Sequence, residues 1–333
     1  MIPNAPNALP ALTSDRFLAL QSALPGAKGW IRVNGQSILH ADLALQRPTG
    51  RYVSRLLLPV VNFLLSGVAI RTLGHNALPG LFFPTLHPKK GLKQIPIWPK
   101  GYKLVVANVL GNTDIHEAIV VPAEPFMVLS IRPEWATFDD YLAAMSTKYR
   151  TRAKRAISLA EGCEQVDLSQ EEPETWVPWA SGLLKQTLRK KTVTLPASLE
   201  VLLTTYKEQL GDAFRIYGYR NEGQWVGFIT AIVDHEAVHA MHMGFEPIYA
   251  QQAQFYQRSM MDLVALAIEE KRACLNMGRT ATEIKSTMGA VPVENSFVFF
   301  TPRPLVKWMM QVYAQRFHHL PSYTLRSPFK QLS

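Results

Sequence analysis

The chain has 333 residues, of which 47% are hydrophobic and 18% charged, a balance that is typical of globular proteins and excludes an intrinsically disordered chain. The length suggests one large domain or two of ordinary size. A formal net charge of +9 favours an anionic partner such as nucleotide phosphates, RNA or an acidic membrane surface, although excess lysine and arginine also serves solubility alone.

Nothing in the sequence favours export or a membrane span. The first ten residues hold neither a charged segment nor an apolar core, so we expect no signal peptide. The longest apolar run, 56–70, is short for a bilayer and is interrupted by polar residues. The two cysteines, Cys163 and Cys274, are too few for a disulfide framework and fit a reducing compartment. We therefore expect a cytoplasmic protein without a transmembrane segment, while an interfacial helix with weak association to an anionic membrane stays open.

The first part of the chain predicts short strands and helices in alternation. A helix is predicted over 14–23, and strand-like segments over 30–33, Gln36–Leu45, 68–73, Leu104–Leu110, 116–121 and 126–131. Between them, 86–103 holds five lysines, Trp98 and Tyr102 but no acidic residue, and its prolines and glycines predict a loop. Cations interleaved with aromatic rings suit a nucleic-acid groove, but a solvated basic loop explains the pattern at least as well.

A basic helix is predicted over 138–159. Thr137 is its expected N-cap, and Asp140 completes a loose capping box three residues later. Five cations lie toward its end: Lys148, Arg150, Arg152, Lys154 and Arg155. Positive charge suits the C-terminus of a helix, but the helix dipole explains one or two cations rather than five. The surplus predicts that this end of the helix binds phosphate or carboxylate.

The clearest pattern runs through residues 214–290. It is preceded by a predicted strand over 162–168 and helices over 176–190 and Leu199–Leu210. Alternating apolar runs separated by polar turns predict a three-strand antiparallel meander over 214–219, 225–233 and Ala237–Phe245. A helix over 253–271, a short strand over 273–277 and a final helix follow, with Thr280 as its expected N-cap and Glu283 completing a capping box. Polar residues cluster at the last strand end, which is where α/β folds bind ligands.

A metalloprotease-like motif falls within the meander. His235-Glu236-Ala237-Val238-His239 matches H-E-x-x-H, which binds zinc only when a helix brings both imidazoles to one face. The surrounding alternation instead predicts that His235 lies in a hairpin turn and His239 on a strand. We therefore expect no metal site, and a zinc hydrolase is the least favoured function.

The stretch 214–290 resembles the C-terminal half of a GNAT-superfamily acyltransferase, and most closely the Fem-type (FemAB-like) branch. The resemblance rests on a meander ending in Met241-His242-Met243-Gly244-Phe245, on Leu275-Asn276-Met277-Gly278-Arg279, and on Lys285 with Gly289 four residues later. It implies an α/β (α+β) fold with a mixed, largely antiparallel sheet flanked by helices. It also implies two GNAT-like lobes, a degenerate one over residues 1–135 and an acyltransferase lobe over 136–333. The usual GNAT glycines are missing from 247–257, which points to the Fem-type branch.

The resemblance also implies the site residues. A lysine matching Lys285 lies near the acyl carbonyl and phosphates in Fem-type proteins, so Lys285 is expected to stabilise an oxyanion or a phosphate, with a solvated helix lysine as the alternative. Arg279, at a strand end, is expected to meet an anionic ligand. His242 and Glu283 are further catalytic candidates, although a core position would explain His242 and the helix cap would explain Glu283.

The basic helix contributes the expected substrate contacts. A similar Tyr-Arg-x-x-x-Arg helix lies at the lobe junction of the resembled family, which implies anion binding by Tyr149, Arg150, Arg152 and Arg155.

The predicted function is an N-acyltransferase that moves an acyl or aminoacyl group from a thioester or ester donor to an amine on a small molecule or envelope precursor. Acyl-CoA is the favoured co-substrate, and no tightly bound cofactor is expected. The first alternative is a Fem-type peptidyltransferase that uses aminoacyl-tRNA. The second is a non-catalytic, ligand- or RNA-binding GNAT relative.

Overall fold

The computed structural model describes residues 19–20, 22–24, 27–33, 36–45, 70–73, 104–110, 118–158, 162–188, 193–194, 198–252 and 255–330. The predicted loop over 86–103 and the predicted cap Ser14 lie outside these residues. Within them, no helix has both the length and the apolar character that crossing a bilayer requires.

One mixed sheet dominates the fold. Its strands are β1 (Ala27–Val33), β2 (Gln36–Leu45), β3 (Ile70–Leu73), β4 (Leu104–Leu110), β5 (Ile119–Ser130), β6 (Cys163–Asp167), β7 (Val193–Thr194), β8 (Phe214–Asn221), β9 (Gln224–Val233), β10 (Ala237–Phe245), β11 (Cys274–Asn276) and β12 (Val291–Phe300). The order across the sheet is β1-β2-β3-β4-β12-β5-β11-β10-β9-β8-β6, and β7 pairs with β2. Among the strand pairs of the described residues, only β3–β4 and β10–β11 are parallel, which confirms the predicted largely antiparallel α/β architecture.

Helices cover both faces of the sheet. They are α1 (Phe138–Ala144), α2 (Thr147–Ser158), α3 (Pro173–Leu188), α4 (Leu199–Leu210), α5 (Pro247–Gln252), α6 (Phe255–Glu269), α7 (Thr282–Thr287) and α8 (Pro304–Val312), which a π-helix over Tyr313–Phe317 extends. One apolar core joins α1, α2 and α6 to one face, and we call this face A. The other core joins α3 and α4 to the opposite face of β8, β9 and β10, and we call this face B.

The predicted meander is confirmed. β8, β9 and β10 pair in antiparallel succession, and residues 234–236 form the turn between β9 and β10. β9 is buried along most of its length because α3 and α6 cover its two sides. Gly244 lets α3 approach, since a Cβ there would lie 2.8 Å from the backbone of Leu183.

The prediction of one helix over 138–159 is wrong, because this stretch forms two helices, α1 and α2. The capping box of Thr137 and Asp140 is present at the start of α1, as predicted. The helix ends at Met145, where an extended C-terminal segment pairs with it through Phe329. The Ser146 N–H donates to the carbonyl of Pro328, and the Lys330 N–H donates to the carbonyl of Ala144. These two backbone bonds hold the segment between α1 and α2. The cations are therefore spread along α2 rather than gathered at the end of one long helix.

Two strands that the sequence predicts as separate form one continuous strand. The sequence predicts separate strands over 116–121 and 126–131, whereas β5 runs unbroken through Ile119–Ser130. Its register against β12 shifts between Val293 and Asn295, so the break in the sequence pattern marks a bulge rather than a loop.

β12 lies between β4 and β5, so a strand from beyond residue 290 completes the sheet of the N-terminal half. Its Asn295 side chain accepts a hydrogen bond from Asn108 and donates one to the Glu124 carbonyl, which fixes the three strands in register. The division into lobes at residue 135 stays a prediction.

Candidate functional site

The candidate site begins where β10 and β11 separate. Their parallel register covers only three pairs, from Ala237–Cys274 to His239–Asn276. β10 continues to Phe245, whereas the chain after β11 stays beside β5, where the Met277 N–H donates to the Met127 carbonyl. The edge of β10 beyond His239 therefore faces a gap in the described sheet, at the carboxyl end of a parallel pair.

A β-bulge deforms β10 beside this gap. The register against β9 shifts between Ala240 and Met243, which places two residues opposite Thr230. The Thr230 hydroxyl fills the bulge, because it accepts from the His242 N–H at 2.9 Å and donates to the His242 carbonyl at 3.0 Å. One buried side chain thus satisfies both backbone groups that the bulge takes out of the ladder.

The imidazole of His242 points into face B. It is 7% exposed, its Nε2 lies 3.1 Å from the hydroxyl of Tyr206 on α4, and the two rings stack. Burial raises the pKa of Tyr206 well above its ordinary value, so the phenol stays protonated. This environment matches the core alternative for His242, and a catalytic role for it stays a prediction.

A polar pair closes the narrow end of the gap. His239 is completely buried, and its Nδ1 lies 3.3 Å from Nδ2 of Asn276 on β11. Burial lowers the pKa of His239 to about 4, so the imidazole is neutral at neutral pH. Because Asn276 Nδ2 can only donate, Nδ1 accepts and Nε2 carries the proton. Within the described residues, Nε2 is buried without a hydrogen-bond partner.

The same asparagine shapes the loop that follows. Asn276 Oδ1 accepts the Gly278 N–H at 2.9 Å, and the Gly278 carbonyl in turn accepts from Met127 of β5. Gly278, Thr280 and Ala281 all have positive φ angles, from 50° to 76°. Two adjacent non-glycine residues in the left-handed region are costly, and such strain is concentrated at functional sites.

The predicted cap of the last helix is wrong. α7 begins at Thr282, its N-cap is Ala281, and no side chain bonds the cap, because Thr280 is itself in the left-handed conformation. Glu283 therefore completes no capping box. Its carboxylate instead accepts the N–H of Thr324 from the C-terminal segment at 2.9 Å.

Lys285 is buried beneath this loop. It is 2% exposed, and its ammonium donates to the carbonyls of Gly278 at 3.1 Å and Arg279 at 2.8 Å. The alternative of a solvated helix lysine is therefore wrong. The ammonium also stabilises the strained loop over residues 278–281, because it donates hydrogen bonds to two of the loop's four backbone carbonyls.

The guanidinium of Arg279 extends from the same loop. It lies over the rings of Phe126 and Phe297, at 5.3 and 5.1 Å from their centroids. Such stacking orients a guanidinium while its N–H groups can still bond an anion. Arg279 and Lys285 are brought together because the ammonium of Lys285 bonds the backbone carbonyl of Arg279.

The basic residues of α2 lie on face A, where Ala153 is buried and Tyr149 packs against the core. Lys148, Arg152, Lys154 and Arg155 are exposed, and Arg150 is half-buried. None of these five cations forms an ion pair with a carboxylate of the described chain. His242 points to face B, so the sheet separates it from this basic surface.

The metalloprotease-like motif does not lie on a helix, as the alternation of the surrounding residues predicted. His235 lies in the exposed turn and bonds Asp234, whereas His239 lies inside β10. Across the ranges that the structure describes, no group of histidine, cysteine, aspartate or glutamate side chains is arranged to hold a metal.

The stretch that holds this geometry can be compared with known families. Residues 147–286 match the acetyltransferase (GNAT) domain. The match begins at the start of α2, runs through the meander and ends in α7, so it contains the β10–β11 gap, the strained loop and Lys285. Transfer of an acyl group is the general chemistry that this match supports.

Several solved structures are similar over most of the chain at low identity. L-PGS from Bacillus licheniformis is 13% identical with a TM-score of 0.48, over 90% of this chain and 93% of that one. FemX is 10% identical with a TM-score of 0.46, over 91% and 100%. A tandem GNAT protein from the clavulanic acid biosynthesis pathway is 13% identical with a TM-score of 0.45, over 89% and 90%. No curated protein matches the sequence. We therefore base the functional proposal on the matched domain and on the geometry.

Three residues of this region were missed by the sequence patterns as polar contacts: Thr230, Tyr206 and the pair partner Asn276. Thr230 and Asn276 are polar side chains inside apolar strands, whereas Tyr206 lies on α4 between Thr205 and Lys207. A polar residue at a buried strand position needs a partner, and that need is the sequence signal that could have pointed to Thr230 and Asn276.

Proposed function

We propose that the protein is an N-acyltransferase that moves an acyl group from a thioester donor, acyl-CoA, to an amine acceptor. The match of residues 147–286 to the GNAT domain, with the β10–β11 gap inside it, carries this proposal. An acyl donor seated in the gap would add to the edge of β10 beyond His239, where strand backbone groups can bond an extended ligand.

The proposed roles of the site residues follow from where their charges lie. Lys285 brings a positive charge beneath the strained loop, in buried surroundings where electrostatic interactions are stronger than in water. We assign to it the stabilisation of the oxyanion that develops on the acyl carbonyl. Arg279, held over two aromatic rings at the loop, binds the anionic part of the donor or acceptor.

A second donor is supported by a separate observation. Tyr149, Arg150, Arg152 and Arg155 lie on a helix whose cations have no carboxylate partner in the described chain, and such a surface suits the phosphates of a nucleic acid. Aminoacyl-tRNA would use it if the ester of a tRNA, rather than a thioester, supplied the acyl group. The acceptor amine in either case belongs to a small molecule or an envelope precursor.

A donor assay tests the proposal directly. Purified protein is incubated with a mixture of primary amines and either acyl-CoA thioesters or labelled aminoacyl-tRNA, and we measure thiol release or loss of the tRNA-bound label. Amine-dependent consumption of acyl-CoA is expected. Consumption of the tRNA ester alone would identify the second donor. Binding of either donor without any turnover would instead support a non-catalytic GNAT relative and contradict the proposal.

Substitution of Lys285 tests its role. Lys285→Met keeps a long apolar side chain but removes the ammonium, so we expect the catalytic rate to fall by about a hundredfold while donor affinity changes little. Lys207→Met is the matched control, because Lys207 also donates to a backbone carbonyl, that of Ser169, but on face B. Both rates are normalised to the folded fraction from a thermal melt. Normal turnover of folded Lys285→Met would remove Lys285 from the chemistry.

A further inference from the structure

Helix α8 presents an apolar face to solvent. Leu305 and Trp308 are 67% and 61% exposed, the highest values among the large hydrophobic side chains of the described chain. With Val312 they recur at the spacing of one helix face, while none of the nine residues of α8 is buried. Isolated exposed apolar residues are common, but a helix that turns a leucine and a tryptophan outward together requires an explanation.

The charge around this helix has one sign. Residues 295–333 contain no aspartate or glutamate, and their five cations are Arg303, Lys307, Arg316, Arg326 and Lys330. Arg303 precedes the helix, Lys307 lies on its flank, and Arg316 falls on the exposed side of its π-helical extension. None of these three forms an ion pair with a carboxylate in the residues that the structure describes.

The inward side of α8 fixes its position. Val306 packs with Phe297 and Phe299 of β12 against Leu104 and Val106 of β4. Phe297 is also one of the two rings beneath the guanidinium of Arg279. The exposed face of α8 is therefore carried by the part of the sheet that also supports Arg279.

We propose that α8 is an interfacial helix that lies flat on an anionic lipid bilayer. Leu305 and Trp308 would enter the boundary between head groups and acyl chains, where an indole is favoured because it is apolar and has a polar N–H. Arg303, Lys307 and Arg316 would meet the negative lipid head groups. Charge decides between a membrane and a second copy of the chain, because a copy would bring the same cations to this face.

The proposal does not depend on acyl transfer, and binding to vesicles tests it. Full-length protein is sedimented with vesicles of phosphatidylcholine alone or of equal parts phosphatidylcholine and phosphatidylglycerol. We expect binding to the anionic vesicles and a loss of about tenfold or more in the partition coefficient for the double variant Leu305→Gln/Trp308→Gln. The variant Arg303→Gln/Lys307→Gln should bind anionic vesicles more weakly, by about fivefold for each cation removed. Its binding to phosphatidylcholine vesicles should not change.

A matched control removes two exposed apolar side chains elsewhere. Val201 on α4 and Ile248 on α5 are 49% and 58% exposed, and Val201→Gln/Ile248→Gln should bind as the wild type does. The proposal is overturned if the wild type binds neither vesicle or if the Leu305→Gln/Trp308→Gln variant binds anionic vesicles undiminished. A wild-type dimer that this double variant dissociates, in the absence of vesicle binding, would assign the face to self-association and also overturn it.

Discussion

The neutral histidine in β10 gives the protein a defined response to acid. His239 is completely buried, and burial lowers its pKa from 6.5 to about 4. Between these values the unfolded chain binds a proton that the folded chain does not, so stability rises with pH through this window and falls as pH is lowered. At about 1.36 kcal/mol per pKa unit, the free energy of unfolding should drop by about 2 kcal/mol from pH 7 to pH 5 through this residue alone.

Urea denaturation of the wild type and of His239→Gln at several pH values between 7 and 5 measures the contribution of His239 to the free energy of unfolding. The glutamine amide keeps an acceptor for Asn276 but does not titrate, so we expect a less stable variant whose stability changes less with pH. Every other ionisable group is present in both proteins, and its contribution cancels in the difference between the two slopes.

His235 provides the control. It is exposed, and its hydrogen bond to Asp234 raises its pKa, so its contribution is present at low pH and is lost as the pH rises through the raised value. His235→Gln should therefore not reduce the acid sensitivity of the protein. Equal pH slopes for the wild type and His239→Gln would refute the assignment of His239 as a buried, neutral imidazole.

Two further predictions concern the bulge and the basic helix. Thr230→Val removes the hydroxyl that satisfies both backbone groups of the bulged residue and should cost about 2–4 kcal/mol in urea denaturation, whereas Thr205→Val, which loses one bond to a helix carbonyl, should cost under about 1 kcal/mol. Equal losses would exclude a special role for the bulge. Reversing Arg152 and Arg155 to Glu should weaken binding of CoA or tRNA and make it less salt-dependent, while Lys185→Glu on face B should not. Salt-independent binding by the wild type would contradict an anion-binding surface on α2.

Local pattern was enough to predict the meander. The period-two alternation of 214–245 and its polar turns require no partner from elsewhere, and α4 begins and ends where its apolar spacing and its N-cap Ser198 place it. The cap of α1 was predictable for the same reason, because Thr137 and Asp140 bond only each other and the local backbone.

Distant contacts decide the features that the sequence did not predict. The break between α1 and α2 depends on Phe329, almost two hundred residues away, which also lies where a Cβ on Gly289 would be. Thr280 is a residue type that commonly caps helices. Here, however, it has a left-handed conformation, because it belongs to the loop whose carbonyls Lys285 bonds. His239 and Asn276 become a pair only once β10 and β11 align, so neither is distinguishable from an ordinary core polar residue beforehand.

The position of β12 between β4 and β5 bears on how the chain is made. A ribosome delivers β4 and β5 long before Val291–Phe300, and until that strand emerges the two earlier strands have no neighbour between them. Unpaired strand edges of this kind can pair wrongly with strands of other chains. This part of the sheet can close only after residue 300 has been synthesised, so until then the facing edges of β4 and β5 are open to such pairing.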